Sequence, residues 1–205
     1  MVDEPVLAAI GSELPISEPT GSMVVDIGGG TAEIAIMSLG GIVYSNTVRA
    51  GGHEMDRRIV DFIRSTYNFL IGEPTAEQLK IRHGRVFGAS TERNISVKGT
   101  SLTSGMPGVI MISEDDIARA LEPSIRLIVD STKEAITEAP PELSADLTEL
   151  GIVLSGGVAS LKGLDERMKQ DLGIFVQVSP EPLLSVARGG GILLDRPDLL
   201  EMVAH

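Results

Sequence analysis

The chain has 205 residues, of which 42% are apolar and 22% are charged, a balance typical of a globular protein with a buried core. Its formal net charge of −12 argues against general nucleic-acid binding, because a phosphate backbone would be repelled. It contains no cysteine, which excludes disulfides and thiolate metal sites, and no apolar run is long enough to predict a transmembrane segment.

The first predicted element is a short helix from Asp3 to Gly11. A proline near its start, acids in its first turn and a glycine near its end are typical of a helix. On the residues alone, Glu4 is an acid that interacts favourably with the helix dipole. A loop with two prolines is predicted from Glu13 to Ser22.

The next stretch predicts a strand, a glycine turn and a second strand. Met23 to Val25 is an apolar, β-branched run, Asp26 follows it, and Gly28 to Gly30 lead to Thr31 and a second apolar run. Glycines permit positive φ and let backbone amides approach an anion without a Cβ in the way. A carboxylate here can hold hydrated Mg²⁺, and a hydroxyl can position a phosphate or a water.

Simpler interpretations of this glycine turn exist. Three glycines between strands can be a plain hairpin turn. A dinucleotide fingerprint would require a helix directly after the glycines, where this sequence predicts a strand, and no Gly-x-x-x-x-Gly-Lys-Ser/Thr loop occurs. A phosphate-binding hairpin and a plain hairpin therefore both stay open on the residues alone.

The middle of the chain predicts a third strand, at Ile42 to Val48, and then helices. Apolar residues recur at helical spacing over residues 53–67, and a second helix is predicted from Pro74 to Lys80. Glu77 and Lys80 lie three apart on one face of it, a spacing that also suits a simple surface ion pair. Residues 84–112 are rich in Gly, Ser and Thr, with two strand-like pieces.

The last third predicts a long helix and a second strand followed by glycines. Ser113 and the acids after it begin a helix that ends at Pro140. A strand over 152–154 leads to Gly156 and Gly157, which suit either a backbone lying against a flat base or a plain turn into a helix predicted over 161–172.

The C-terminal region predicts a strand over 174–178 and a helix over 182–194. Gly189 to Gly191 interrupt this helix at a cost of about 3 kcal/mol in helix propensity, which indicates close helix packing or a hinge.

A family resemblance rests on several of these stretches. Asp26 to Thr31 resembles the second phosphate-binding hairpin of the actin, DnaK-type chaperone and sugar-kinase superfamily. More narrowly, Pro19 to Thr31 is similar to the MreB family of bacterial actins. The similarity continues through Gly51-Gly52, Thr75-Ala76-Glu77, Pro140-Pro141-Glu142-Leu143, Gly156-Gly157 and Val186 to Gly191.

The resemblance implies an α/β fold, an actin-like ATPase (ribonuclease-H-like) subdomain with a small α+β insertion. It places a IIA-like subdomain at residues 1–51 and 113–205 and an inserted IIB-like subdomain at residues 52–112. The superfamily uses two phosphate-binding hairpins, and no second Asp-x-Gly-Thr element occurs here. We therefore expect the chain to correspond to the second half of such a protein, and Gly189 to Gly191 to form a hinge.

The resemblance also implies roles for individual residues. The expected roles are phosphate binding by Gly28, Gly29, Gly30 and Thr31, positioning of the attacking water by Glu4 and Thr31, adenosine binding by Glu77, Lys80, Gly156 and Gly157, and Mg²⁺ binding through water by Asp26. Two positions depart from the family pattern. His53 stands where the family tends to have an acid, and we expect a polar surface or cap residue there. Val158 replaces a third glycine.

The function implied is that of an ATP-binding, filament-forming cytoskeletal protein that maintains bacterial rod shape, with ATP/ADP and Mg²⁺ as cofactors. Self-association, cell-shape membrane proteins as partners and a cytoplasmic, membrane-associated location follow from the resemblance. Because phosphoryl transfer needs charge stabilisation from all sides, we expect weak nucleotide binding and negligible turnover for this chain alone. The alternatives are a non-hydrolysing scaffold of the same fold and a fragment of a DnaK-like chaperone ATPase or kinase.

Overall fold

The computed structural model describes residues 1–89 and 94–204. Residues 90–93, which fall within the predicted insertion, and residue 205 lie outside the described residues. The strands are β1 (Ser22–Ile27), β2 (Ala32–Ser38), β3 (Gly41–Val48), β4 (Phe69–Leu70), β5 (Asn94–Ser101), β6 (Pro107–Ser113), β7 (Ile152–Ser155) and β8 (Val176–Val178). The helices are α1 (Glu4–Gly11), α2 (Gly52–Tyr67), α3 (Glu73–His83), α4 (Glu114–Glu138), α5 (Pro141–Leu150), α6 (Leu164–Leu172), α7 (Ser185–Asp195) and α8 (Pro197–Val203).

The main sheet has the strand order β3-β2-β1-β7-β8. The first three strands pair antiparallel, as the glycine turns predict, and β7 and β8 run parallel to β1. This order places the carboxyl end of β1 directly beside that of β7, with Asp26 opposite Ser155. Both predicted glycine turns therefore begin at the same edge of one sheet.

The two faces of this sheet carry different cores. Alternate residues of β1 point to opposite faces, so Met23, Val25 and Ile27 pack into a large core with α2, α4 and α6. Val24 faces the other way and packs with apolar residues of α1, α7 and α8. Asp26 is two residues after Val24 on the same strand, so its side chain points to the same face of the sheet, the face covered by α1.

The predicted insertion contains a second sheet with the order β4-β5-β6. Its buried residues Phe69, Ile95, Val97 and Ile112 belong to the same continuous core as the main sheet. The boundaries of the two subdomains stay a prediction.

Close packing of α1 on α7 explains two of the glycines. A Cβ on Gly189 would lie 1.9 Å from the Leu7 carbonyl oxygen, and one on Gly11 would lie 1.8 Å from that of Ser185. α7 continues through Gly189 to Gly191, so the predicted interruption is wrong and close packing accounts for the glycine at 189. The hinge stays a prediction.

Other differences from the predicted elements are local. α4 begins with the predicted cap, in which the Ser113 hydroxyl accepts from the Asp116 amide. α5 and α8 were not predicted. The helix expected from Leu161 begins at Leu164, because Gly163 has a left-handed backbone conformation, φ +79°, that a right-handed helix cannot include. A 3₁₀ turn over Gly157–Ser160 precedes this connection. No helix in the described part of the chain is both long and apolar enough to cross a membrane.

Candidate functional site

A cavity of about 690 Å³ lies where the two glycine turns meet the first turns of α1 and α2 and the last turns of α3. Eight of the ten predicted site residues line it: Glu4, Asp26, Gly28, Gly29, Glu77, Lys80, Gly156 and Gly157. Gly30 and Thr31 lie on the same hairpin but do not line the cavity. The fold thus brings together residues that are up to 153 positions apart in the chain.

The start of α2 sets the orientation of the hairpin between β1 and β2. The Gly52 amide donates to the Gly28 carbonyl at 3.0 Å, and the His53 amide donates to the Gly29 carbonyl at 2.8 Å. In a trans peptide, the carbonyl of one residue and the amide of the next point in opposite directions. The amides of Gly29 and Gly30 therefore point away from α2.

Three successive amides of this hairpin are available to a ligand. Gly28 donates to the Thr31 carbonyl at 2.9 Å, whereas within the described residues the amides of Gly29, Gly30 and Thr31 have no backbone acceptor. Successive free amides in a turn form a concavity that binds anions. The hairpin can therefore accept an anion without breaking any bond it already makes.

The glycines of the hairpin are not required by backbone conformation. None of Gly28, Gly29 and Gly30 has a positive φ, so this turn does not use the positive φ that glycine permits. A Cβ on Gly30 would meet nothing within 4 Å, so the space beside it is open. By contrast, a Cβ on Gly51 would lie 2.6 Å from the Gly29 carbonyl oxygen, so the glycine at 51 permits the close docking of the hairpin on α2.

Acidic groups converge below the hairpin. Asp26 is only 4% exposed, and the Ser155 hydroxyl donates to its Oδ1 at 2.6 Å. Burial raises the pKa of Asp26, and the Ser155 hydrogen bond opposes this only in part. Glu33, directly opposite Asp26 on β2, has its pKa raised by burial and by the charges of Glu4, Asp26 and Asp3. A cation near these groups would be favourable.

Lys80 ties α3 to α2 across the floor of the cavity. Its Nζ lies 2.8 Å from Asp56 Oδ1 and donates to the Gly52 carbonyl at 2.8 Å. The side chains of Lys80 and Asp56 are only 12% and 6% exposed. In the described structure Lys80 makes no ion pair with Glu77, which rules out the simple surface pair. Glu77 is exposed and lines the cavity.

The second glycine turn is built differently from the first. Gly156 has φ +81°, and a Cβ there would lie 2.4 Å from the Ile27 carbonyl oxygen. Its amide donates to the Pro182 carbonyl at 2.8 Å. Glycine at 156 is therefore required by the packing of this turn against β1, and its role in adenosine binding stays a prediction.

Sequence reasoning missed the apolar part of the cavity. Ile81 and Leu183 line it although they are 65% and 74% exposed, and Val186 lies near them in the lining. Large exposed apolar side chains beside polar groups are typical of a ligand-binding surface. One feature of the sequence could have pointed to Ile81, namely its position directly after the predicted site residue Lys80. Asp56 was also missed.

The sheet has the order β3-β2-β1-β7-β8, and the glycine turns after its neighbouring strands β1 and β7 face one cavity. This arrangement defines the actin-like ATPase class of fold. Residues 1–202 match the family model described as MreB/Mbl protein. The cell shape-determining protein MreB of Escherichia coli (strain K12) is 45% identical over 97% of this chain and 57% of its own length. The cell shape-determining protein Mbl of Bacillus subtilis (strain 168) is 41% identical over 97% of this chain and 60% of its own.

A solved structure agrees with these relatives. MreB 5 of Spiroplasma citri bound to AMPPNP superimposes with a TM-score of 0.91 at 32% identity, over 96% of this chain and 59% of that one. This chain belongs to the MreB/Mbl family. The predicted family and fold class are confirmed. The chain spans about 57–60% of the length of these relatives.

Proposed function

We propose that this chain forms one side of the nucleotide cleft of an ATP-binding, filament-forming cytoskeletal protein that maintains cell shape. The observation that carries the proposal is the hairpin with three available amides at the edge of the 690 Å³ cavity. The names of the MreB and Mbl relatives support the cell-shape role, and AMPPNP bound to the Spiroplasma protein supports nucleotide binding.

In this proposal the nucleotide lies across the cavity with its phosphates at the hairpin. The amides of Gly29 and Gly30 hold the phosphates, and Thr31 adds its amide and hydroxyl. Gly28, predicted to bind phosphate as well, donates its amide to the Thr31 carbonyl and shapes the turn beside the phosphates. The adenosine lies at the opposite side, against Glu77, Lys80, Gly156 and Gly157. Ile81 and Leu183 would cover the apolar face of the base.

Asp26 would hold Mg²⁺ through water. Its buried carboxylate and the neighbouring Glu33 and Glu4 concentrate negative charge, to which a polyphosphate would add more. Bound Mg²⁺ supplies charge neutralisation at the phosphates. Among the described residues no group of three acids or histidines could hold a metal ion directly, which favours binding through water and phosphate oxygens.

Glu4 and Thr31 are the residues proposed to position the attacking water. Glu4 is exposed at the start of α1 and lines the cavity. Thr31 is half-buried, with its carbonyl bonded to the Gly28 amide. Because one hairpin stabilises the phosphates from one side only, the chain alone should turn over negligibly.

Filament formation, a cytoplasmic, membrane-associated location and contacts with cell-shape membrane proteins belong to the same proposal for the intact protein. They rest on family membership. Nucleotide-dependent filaments of the full gene product, seen by electron microscopy, would separate this function from a non-hydrolysing scaffold of the same fold.

Isothermal titration of the 205-residue chain with Mg²⁺-ATP tests the site. We expect a Kd on the order of 0.1–1 mM, equivalent to about −4 to −5.5 kcal/mol. Removal of Mg²⁺ should weaken binding further, and phosphate release should be negligible. No binding at several millimolar nucleotide would contradict the proposed site. Micromolar affinity with steady turnover would contradict the incomplete-cleft expectation.

A further inference from the structure

We propose that His53 contacts the phosphate chain of the bound nucleotide beside Gly29 and strengthens its binding, an inference that rests on the proposed function. The residue is the second of α2 and stands where the family resemblance implies an acid. The proposal gives this chain a phosphate contact that the glycine hairpin alone does not supply.

The position of His53 follows from the docking of the hairpin on α2. The backbone amide of His53 is fixed by the Gly29 carbonyl at 2.8 Å. Its side chain lies against the same glycine, since a Cβ on Gly29 would be 3.0 Å from His53 Nε2. His53 is exposed and lines the cavity together with Gly28 and Gly29.

His53 is exposed, as expected of a polar surface residue, and its side chain makes no hydrogen bond on which the described fold depends. The helix cap is Gly51, without a side-chain hydrogen bond, so His53 does not serve as the cap that sequence reasoning allowed. Within the described residues the imidazole has no hydrogen-bond or ion-pair partner. Its donor capacity is therefore available to a ligand in the cavity.

The chemistry of imidazole suits a phosphate at this place. Either tautomer carries one N–H donor, and the protonated ring adds a positive charge. A hydrogen bond to a charged phosphate oxygen is stronger than one between neutral groups, whereas a carboxylate at position 53 would repel the phosphate. The exposed acids that share the cavity, Glu4 and Glu77, lie on α1 and α3, and Lys80 is paired with Asp56.

Two substitutions separate the donor from the charge. His53→Gln keeps a hydrogen-bond donor, and His53→Asp places the family's acid at this position. The matched control is Arg57→Gln, one helical turn further along α2, because Arg57 is an exposed cation paired with Glu54 and does not line the cavity.

The experiment measures binding of Mg²⁺-ADP and of adenosine to the four chains by ¹⁵N amide shifts, which follow weak binding. We expect His53→Asp to weaken ADP binding roughly tenfold and His53→Gln about two- to threefold. Adenosine affinity should stay within about twofold in every chain, and Arg57→Gln should leave ADP binding within about twofold. Thermal unfolding of each variant should match the parent chain.

The outcomes separate this inference from the function on which it rests. If the parent chain binds neither ADP nor adenosine, the proposed function is wrong and the role of His53 falls with it. If the parent binds ADP and both His53 variants bind it equally well, only the role of His53 is wrong. Equal weakening of ADP and adenosine would also overturn it, because the residue would then act through the fold.

Discussion

The two glycine turns of this chain look alike in sequence and are built for different purposes. The hairpin after β1 has glycines with ordinary φ, open space around Gly30 and three available amides. The turn after β7 has Gly156 at φ +81°, packed against β1 and bonded through its amide to Pro182. The first turn leaves room for a ligand, whereas the second fills its space with the protein's own backbone.

This contrast teaches that a glycine in a turn beside a ligand cavity can have either of two separable roles. At Gly30, the missing side chain leaves space outside the fold. At Gly156, it permits a backbone contact inside the fold. Substitution at the first should therefore change binding with little change in stability, and substitution at the second should change stability first.

The largest effect is expected for Gly156→Ala. The new Cβ would meet the Ile27 carbonyl oxygen at 2.4 Å in a left-handed backbone conformation. Strain of about 1–2 kcal/mol and overpacking of about 1–3 kcal/mol should together lower the free energy of unfolding by roughly 2–5 kcal/mol. Urea unfolding measures it.

Gly173→Ala is the control for that prediction. Gly173 has φ +70° with nothing within 4 Å of its Cβ position, so only the strain of about 1–2 kcal/mol applies. Equal losses in the two variants would mean that the contact with Ile27 does not matter and that conformation alone requires the glycine.

The next largest effect is expected for Lys80→Met, which removes the link between α3 and the start of α2. Lys80 holds Gly52, whose amide in turn holds the hairpin at Gly28. Removing the ammonium group leaves the buried Asp56 carboxylate unpaired, at a cost of about 3 kcal/mol in unfolding free energy, the low end for a broken buried pair.

The double variant Asp56→Asn/Lys80→Met tests that explanation. It should recover most of the lost stability, because no buried charge is left unpaired. If the double variant is as unstable as Lys80→Met, the loss arises from packing of the lysine stem and the ion pair is not responsible.

Asp26→Asn is expected to have a smaller effect and to stabilise the fold. Asp26 on β1 is bonded to Ser155 on β7, and these two strands carry the two turns. Burial raises the folded-state pKa of Asp26, so the folded chain retains this proton at higher pH than the unfolded chain does. The stabilisation that this carboxyl group contributes is complete below its unfolded-state pKa of about 3.8. It is lost as the pH rises from there through the raised pKa of the folded state.

Without nucleotide, Asp26→Asn should therefore raise the Tm at pH 7, because the amide leaves no charge to be buried. The difference should shrink towards pH 4. Scanning calorimetry across this range measures it, and a variant less stable than the parent at pH 7 would show that the charged carboxylate stabilises the fold.

The smallest stability effect is expected for Gly30→Ala. Because the Cβ meets nothing, unfolding free energy should stay within about 0.5 kcal/mol of the parent, while Mg²⁺-ATP binding weakens about three- to tenfold. Paired unfolding and titration data on one preparation measure both quantities. Unchanged binding would place the phosphates away from this side of the hairpin.

Much of the fold was predictable from local pattern. The β-branched runs, glycine turns and capping signal at Ser113 set the antiparallel strands, both turns and α4 correctly. α5 was not predicted because it offers little apolar periodicity, with Leu147 as its buried residue. The start of α6 was misplaced because Gly163, which precedes the helix at φ +79°, shows its left-handed conformation only in the structure.

The meeting of most predicted site residues in one cavity was predictable, but the partners of these residues were not. The motif residues of the hairpin, α3 and the second turn meet in one cavity, as the resemblance implies. Ser155 beside Asp26 and Asp56 beside Lys80 depend on tertiary pairing, which spacing along the chain does not reveal. Ile81 and Leu183 escaped notice because an apolar residue in the sequence is normally assigned to the core.

The most direct test of the contrast between the two turns is an ¹⁵N amide titration of the 205-residue chain with Mg²⁺-ADP. Available donors should move when phosphate binds, so Gly29, Gly30 and Thr31 should have the largest shifts. The Gly156 amide, already bonded to Pro182 at 2.8 Å, should keep its hydrogen bond and move little. Shifts confined to the Gly156 turn, with a silent hairpin, would contradict the assignment of the phosphates to the first turn.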